Sequence, residues 1–120
     1  MASFEHSLAG DVDAFVAHVD AAITSGSVTA SIGGGSDRRI GDARMVTRVY
    51  ERYSATGGNR VSLTVAVLAH AGRLEVAAIT SGGSTGLFFK VNVFGEEAFL
   101  QRAVDAVTSF PSAPLPAPPS

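Results

Sequence analysis

The sequence predicts an α+β fold: a two-layer sandwich in which two helices cover one face of an antiparallel sheet, in the order strand, helix, four or five strands, helix. Three observations predict it. Most of the chain between residues 3 and 81 alternates apolar and polar side chains with the period of two expected of half-buried strands. Two segments, near residues 12–23 and 95–107, instead carry one apolar stripe at helical spacing. Glycine-rich clusters separate the segments at hairpin distances. A helix with a single apolar stripe must bury it against another layer, so both helices belong on one face of the sheet.

Ser3 to Leu8 reads as a strand, with Phe4, His6 and Leu8 on one face and Ser3, Glu5 and Ser7 on the other. A helix starts at Gly10-Asp11, where Asp11 is a good N-cap and Asp13 lies near the positive end of the dipole. Val12, Phe15, Val16, Val19 and Ile23 form its stripe, and Gly26 supplies a stop. Val28, Ala30 and Ile32 then alternate with Thr29 and Ser31, and Gly33 to Asp37 reads as a flexible turn. Ala43 to Tyr53 is the next strand, joined to Arg60–His70 through the hairpin signal Thr56-Gly57-Gly58-Asn59. Val61, Leu63, Val65 and Val67 share one face of that second partner. Ala71-Gly72 turns the chain into Arg73–Ser81, with Leu74, Val76 and Ala78 inward. Leu87 to Phe94 reads as a further strand from its β-branched and aromatic content. Gly95-Glu96-Glu97 opens the last helix, whose stripe is Phe99, Leu100, Ala103, Val104 and Val107. The single domain is expected to span residues 1–109. Residues 110–120 hold all five prolines and read as a disordered proline-rich tail.

Composition narrows the function classes. A hydrophobic share of 46% with 17% charged residues is that of an ordinary globular chain. The net charge of −2 and a single lysine weigh against nucleic acid as a partner. The longest apolar run, Leu63 to Ala69, is far short of the roughly 20 residues of a membrane helix. There are no cysteines, so thiol chemistry and disulfides are excluded. The N-terminus carries neither a basic nor an apolar leader segment, and a cytoplasmic protein is expected.

The opening ASFE, the run VYERYSATGGNR over Val49–Arg60 and the run SGGSTGLFFKVNVFGEEAFL over Ser81–Leu100 together resemble a family of small bacterial proteins known as a domain of unknown function. The resemblance spans Ala2 to about Thr108. It implies a bacterial single-domain protein and transfers no catalytic residues. The order of elements also resembles the TATA-binding-protein-like fold and, more loosely, the helix-grip fold of small-ligand carriers; fold likeness by itself assigns no function.

Charge is distributed unevenly. Residues 1–37 contain five acids and no Lys or Arg, whereas six of the nine basic residues lie between Arg38 and Arg60. Arg44, Val46, Arg48, Tyr50 and Arg52 share one strand face, and an outward orientation would place them beside Leu68 and Ile79 as a partner-binding surface. The expected occupant is a second copy of the chain or another protein.

A second reading is a carrier, with a small apolar or amphipathic ligand held between sheet and helices near His6, Tyr53, Phe88, Phe89 and Phe99. A third is an enzyme using His6, whose imidazole titrates near neutrality. His18 flanks its helix stripe and His70 ends a strand, so no two histidines have the short spacing of a metal motif, and no metal or cofactor is expected. Gly82, Gly83, Ser84 and Lys90 form a candidate anion loop through backbone N–H groups and the ammonium. The same stretch matches GxSxG, but no histidine follows His70 and the chain is too short for the hydrolase fold that uses that elbow.

Overall fold

The strands join into one antiparallel sheet because their apolar faces can be buried only if neighbouring registers agree. In a computed structural model the described residues are 2–25, 30–53, 60–82 and 89–115, with the side chains of 89–95 left undescribed. Strand β1 (Ala2–Ala9) leads to helix α1 (Val12–Ser25), then to β2 (Ala30–Ile40), β3 (Ala43–Tyr53), β4 (Arg60–His70), β5 (Arg73–Gly82) and helix α2 (Phe89–Thr108). Their order across the five-stranded sheet is β1-β5-β4-β3-β2, so α1 carries the chain from one edge to the other. Every pairing is antiparallel.

Both helices lie on the same face. α1 buries Phe15, Val16, Val19 and Ile23, and α2 buries Phe99, Ala103, Ala106 and Val107. Opposite them the sheet contributes Leu8, Val46, Tyr50, Leu63, Val65, Val67, Leu74, Val76 and Ala78. Each large aliphatic side chain so buried contributes about 1.5–3 kcal/mol, which makes this layer the main source of stability. The Asp11 carboxylate accepts the Ala14 N–H at 2.9 Å, the bond an N-cap makes to the third helical residue.

Three expectations are corrected. The segment read as a strand at Leu87–Phe94 is helical from Phe89 onward and continues through Gly95 into a 20-residue helix. Interior glycine costs a helix roughly 1 kcal/mol, which tertiary packing overrides. The Gly33–Asp37 turn is instead the middle of β2, with a register shift between Ile32 and Gly34. Glycine suits it there: a Cβ on Gly35 would stand 2.5 Å from the Thr47 carbonyl oxygen, so β2 approaches β3 too closely for a side chain. The reversal falls at Gly41-Asp42, where Gly41 has φ +55°.

The third correction concerns the C-terminus, where order continues past residue 109. Phe110 packs edge-on against Phe15 at 5.2 Å, the Ala9 N–H donates to the Ser112 hydroxyl at 3.0 Å, and the Ala113 N–H donates to the Ala9 carbonyl at 3.3 Å. Residues 116–120 lie outside the described residues, as do Gly26 and the hairpin signal read at Thr56-Gly57-Gly58-Asn59.

The other tight hairpin, Ala71-Gly72 between β4 and β5, has φ of 51° and 78°. Two positive φ values define the turn that matches strand twist. Ala71 bears a left-handed conformation that costs a residue with a Cβ about 1–2 kcal/mol.

Candidate functional site

Strand β3 decides where the arginines go. In its pairing with β4, Val46 opposes Val67 and Tyr50 opposes Leu63, and paired residues of an antiparallel ladder share a face. Val67 and Leu63 are core residues, so Arg44, Val46, Arg48, Tyr50 and Arg52 all point toward the helices. The outward orientation expected of this strip is therefore reversed.

Each inward arginine meets something specific. Arg44 donates to Asp37 of β2 through Nε at 2.9 Å and Nη2 at 2.6 Å, and to Asp13 of α1 at 2.9 Å. Its hydrogen bonds hold both carboxylates below their ordinary value and push the guanidinium up. Arg48 donates to Asp20 of α1 at 3.4 Å. The buried Tyr50 hydroxyl donates to the same carboxylate. Burial first, and Asp20 second, push the phenol well above its usual range, so it stays protonated as a donor. The Arg52 guanidinium lies 5.9 Å from the centre of the Phe99 ring, within cation–π range. The acid excess of α1 and the basic excess of β3 thus neutralise each other across the layer. The notch between them, about 150 Å³ and lined by Asp13, Asp20, Asp37, Arg44 and Arg48, is filled with charges already matched.

The outer face has the opposite character. Leu68 and Ile79 do point outward, together with Met45 and Tyr53, and their relative exposures are 51%, 43%, 43% and 48%. Cross-strand rows order this face. Arg38, Met45, Leu68, Glu75 and Ser7 form one row, and Ser36, Thr47, Ala66, Ala77 and Glu5 the next. Near β1 the surface dips into a concavity of about 550 Å³ whose walls include Glu5, Ser7, Met45, Leu68 and Glu75. The Ser7 hydroxyl donates to Glu75, at 2.6 Å to Oε2, and this bond foremost lowers the Glu75 carboxyl below its ordinary value.

The described members of the expected carrier set, His6, Tyr53 and Phe99, do not converge. Tyr53 faces outward, Phe99 is wholly buried under Arg52, and His6 is exposed on edge strand β1, stacked on Phe4 at 5.6 Å. The space between α1 and the sheet, lined by Phe15, Val19, Val46 and Tyr50, is about 10 Å³, room for about one water. Phe88, Gly83 and Ser84 lie outside the described residues, as do the side chains of Phe89 and Lys90; Gly82 ends β5. Lys90 belongs to a helix, not to a strand following the loop. Among the described residues, no three His, Asp or Glu side chains are grouped to hold a metal ion, and no helix is long and apolar enough to cross a membrane.

Sequence reasoning missed Met45 and Arg38 as outer-face residues. The signal was available in parity. An even number of residues in the hairpin after Tyr53 pairs even positions of β3 with odd positions of β4, and the odd positions of β4 are its valines and Leu63.

Fold and site together define an α+β sandwich, with one sheet face sealed by helices and the other left uncovered by the described residues. The chain belongs to DUF6054, a family of unknown function, which it matches over residues 1–111. No curated protein matches it.

Proposed function

We propose that this protein is an association module that works by docking its uncovered sheet face on another protein surface. The observation that carries the reading is the set of outward side chains Met45, Leu68 and Ile79, each with more than two-fifths of its surface exposed on a face that none of the described helices covers. Contiguous apolar surface of this kind, rimmed by polar residues, marks interaction sites. The free edge is a poorer candidate. Strand β2 carries a register shift, three glycines, Asp37, Arg38 and Arg39, features that discourage strand addition. The bacterial setting rests on the sequence resemblance alone.

Native mass spectrometry of the purified chain tests the reading. The wild type is expected as a higher-mass assembly, and Leu68→Glu with Ile79→Glu as a folded monomer with an unchanged far-UV circular dichroism spectrum. A wild type that stays a bare monomer across the accessible concentrations would overturn it.

A further inference from the structure

The outer face carries opposite unpaired charges at its two edges. Arg38 lies on edge strand β2 and Glu5 on edge strand β1; both are exposed, and neither makes an ion pair among the described residues. Glu75, beside β1 on β5, adds a second carboxylate to the acidic edge, one that Arg73 of the same strand already engages at 3.5 Å. Between them the rows are apolar or small: Met45, Leu68, Thr47, Ala66, Ala77. A surface basic on one edge, apolar in the middle and acidic on the other is complementary to itself.

We infer that the occupant of this face is a second copy of the chain, related by a two-fold axis running parallel to the strands, with Arg38 of each copy seated in the Glu5–Ser7–Glu75 concavity of the other. This rests on the association reading above and adds the partner and its orientation. The axis follows from the strand order. A two-fold parallel to the strands lays β4 on β4, β3 on β5, and edge β2 on edge β1. Arg38 and Ser7 occupy one cross-strand row, so this operation sets Arg38 over Ser7, with Glu75 and Glu5 flanking it, and sets Leu68 over Leu68. A two-fold across the strands would instead lay β1 and β5 over their own copies. The two glutamates would then face serines of the same edge, Ser3 and Ser81, and Arg38 would face Ser31 of β2, so none of the three charges would lie directly over an opposite one. Of the two, the parallel axis brings Arg38 beside Glu5, the two charges without an ion pair among the described residues.

The area suffices. Five strands about 4.8 Å apart, with about ten residues each at about 3.3 Å, present roughly 800 Å². A standard interface buries about 800 Å² per partner. Aligned sheets pack about 10 Å apart with a small rotation, a gap that a long side chain spans from either side.

Sedimentation equilibrium on the full chain, at low salt, decides between the outcomes. Arg38→Glu and Glu5→Arg each place like charges together and are expected to weaken the dimer at least tenfold. Both substitutions in one chain swap the two ends of the face, and the dimer should return to within about threefold of wild type. Neither side chain makes an ion pair among the described residues, so the fold should survive each change; Leu68→Glu serves as the control that removes the apolar centre. If Leu68→Glu dissociates the dimer while the charge variants are silent, the axis is overturned and association through the face stands. A wild type that is monomeric throughout overturns both.

Discussion

The two faces of this sheet are built from the same strands and treat their long side chains in opposite ways. On the inner face the arginines of β3 are engaged: Arg44 by two carboxylates, Arg48 by Asp20 and Arg52 by the Phe99 ring. On the outer face, among the described residues, Arg38 and Glu5 make no ion pair, and Met45, Leu68 and Ile79 are each more than two-fifths exposed. The difference teaches that charge density along a strand is a poor guide to which face meets solvent. Arginine stems pack against apolar neighbours while their heads reach an acid at the layer's edge, so a guanidinium row can line the flank of a core.

The comparison is broken most directly at its buried end. Phe99→Ala removes a wholly buried ring, and urea unfolding should register a loss of about 3–5 kcal/mol. Leu68→Ala, on the outer face, should change monomer stability by no more than about 0.5 kcal/mol. Equal costs for the two would mean that the outer face is as sealed as the inner one. Tyr50→Phe comes next. It keeps the ring in the core and deletes the hydroxyl donated to Asp20, for an expected loss of about 1 kcal/mol. A neutral result would show that water replaces the hydroxyl on that carboxylate.

Much of this architecture is legible in the chain. The strands at Ala43, Arg60 and Arg73 begin where alternation and turn residues place them, and the stripes of both helices reach the core. Two of the parts that are not legible fail for different reasons. Four of the six residues 89–94 are aromatic or β-branched (Phe89, Val91, Val93 and Phe94), and only continuity with a packed helix selects their conformation over a strand. The facing of β3 is a long-range property: Arg44-Val46-Arg48-Tyr50 and Met45-Thr47-Val49-Glu51 each mix apolar and polar residues, so neither set identifies itself as core. The registers Tyr50–Leu63 and Val46–Val67 supply what local pattern lacks. The complementary excesses, acidic before residue 38 and basic after it, were the visible trace of the α1–β3 contact.

Acid sharpens the inner side of the comparison. Asp13 and Asp37 are both held below the ordinary value of 3.8, in each case first by the hydrogen bond from Arg44. A carboxylate whose folded value is depressed stabilises the fold above its unfolded value, and that contribution fades as pH falls through the folded value. Wild type should therefore exceed Arg44→Met in stability at neutral pH. The gap should narrow once the pH drops below about 4, the unfolded carboxylate range. Thermal melts from pH 7 to pH 2 would show it, as an effect smaller than that of Tyr50→Phe because these groups are solvent-screened. A gap independent of pH would assign the role of Arg44 to its aliphatic stem.

The smallest effect is expected on the outer face, and it separates bare surface from latent interface. Leu68→Thr exchanges an exposed apolar side chain for one suited to a strand, so in dilute solution its melting temperature should match wild type within about 0.5 kcal/mol of stability. Raising the protein concentration changes the expectation. If the wild type pairs through this face, mass action raises its melting temperature with concentration, because the dimer forms only from folded chains. Leu68→Thr should show a weaker slope, since it thins the apolar centre of the contact and leaves both charged edges in place. Parallel, flat melting temperatures for the two proteins would make the outer face an ordinary solvated sheet surface. The contrast between the faces would then be one of burial alone, with the charge polarity from Arg38 to Glu5 serving no contact between copies.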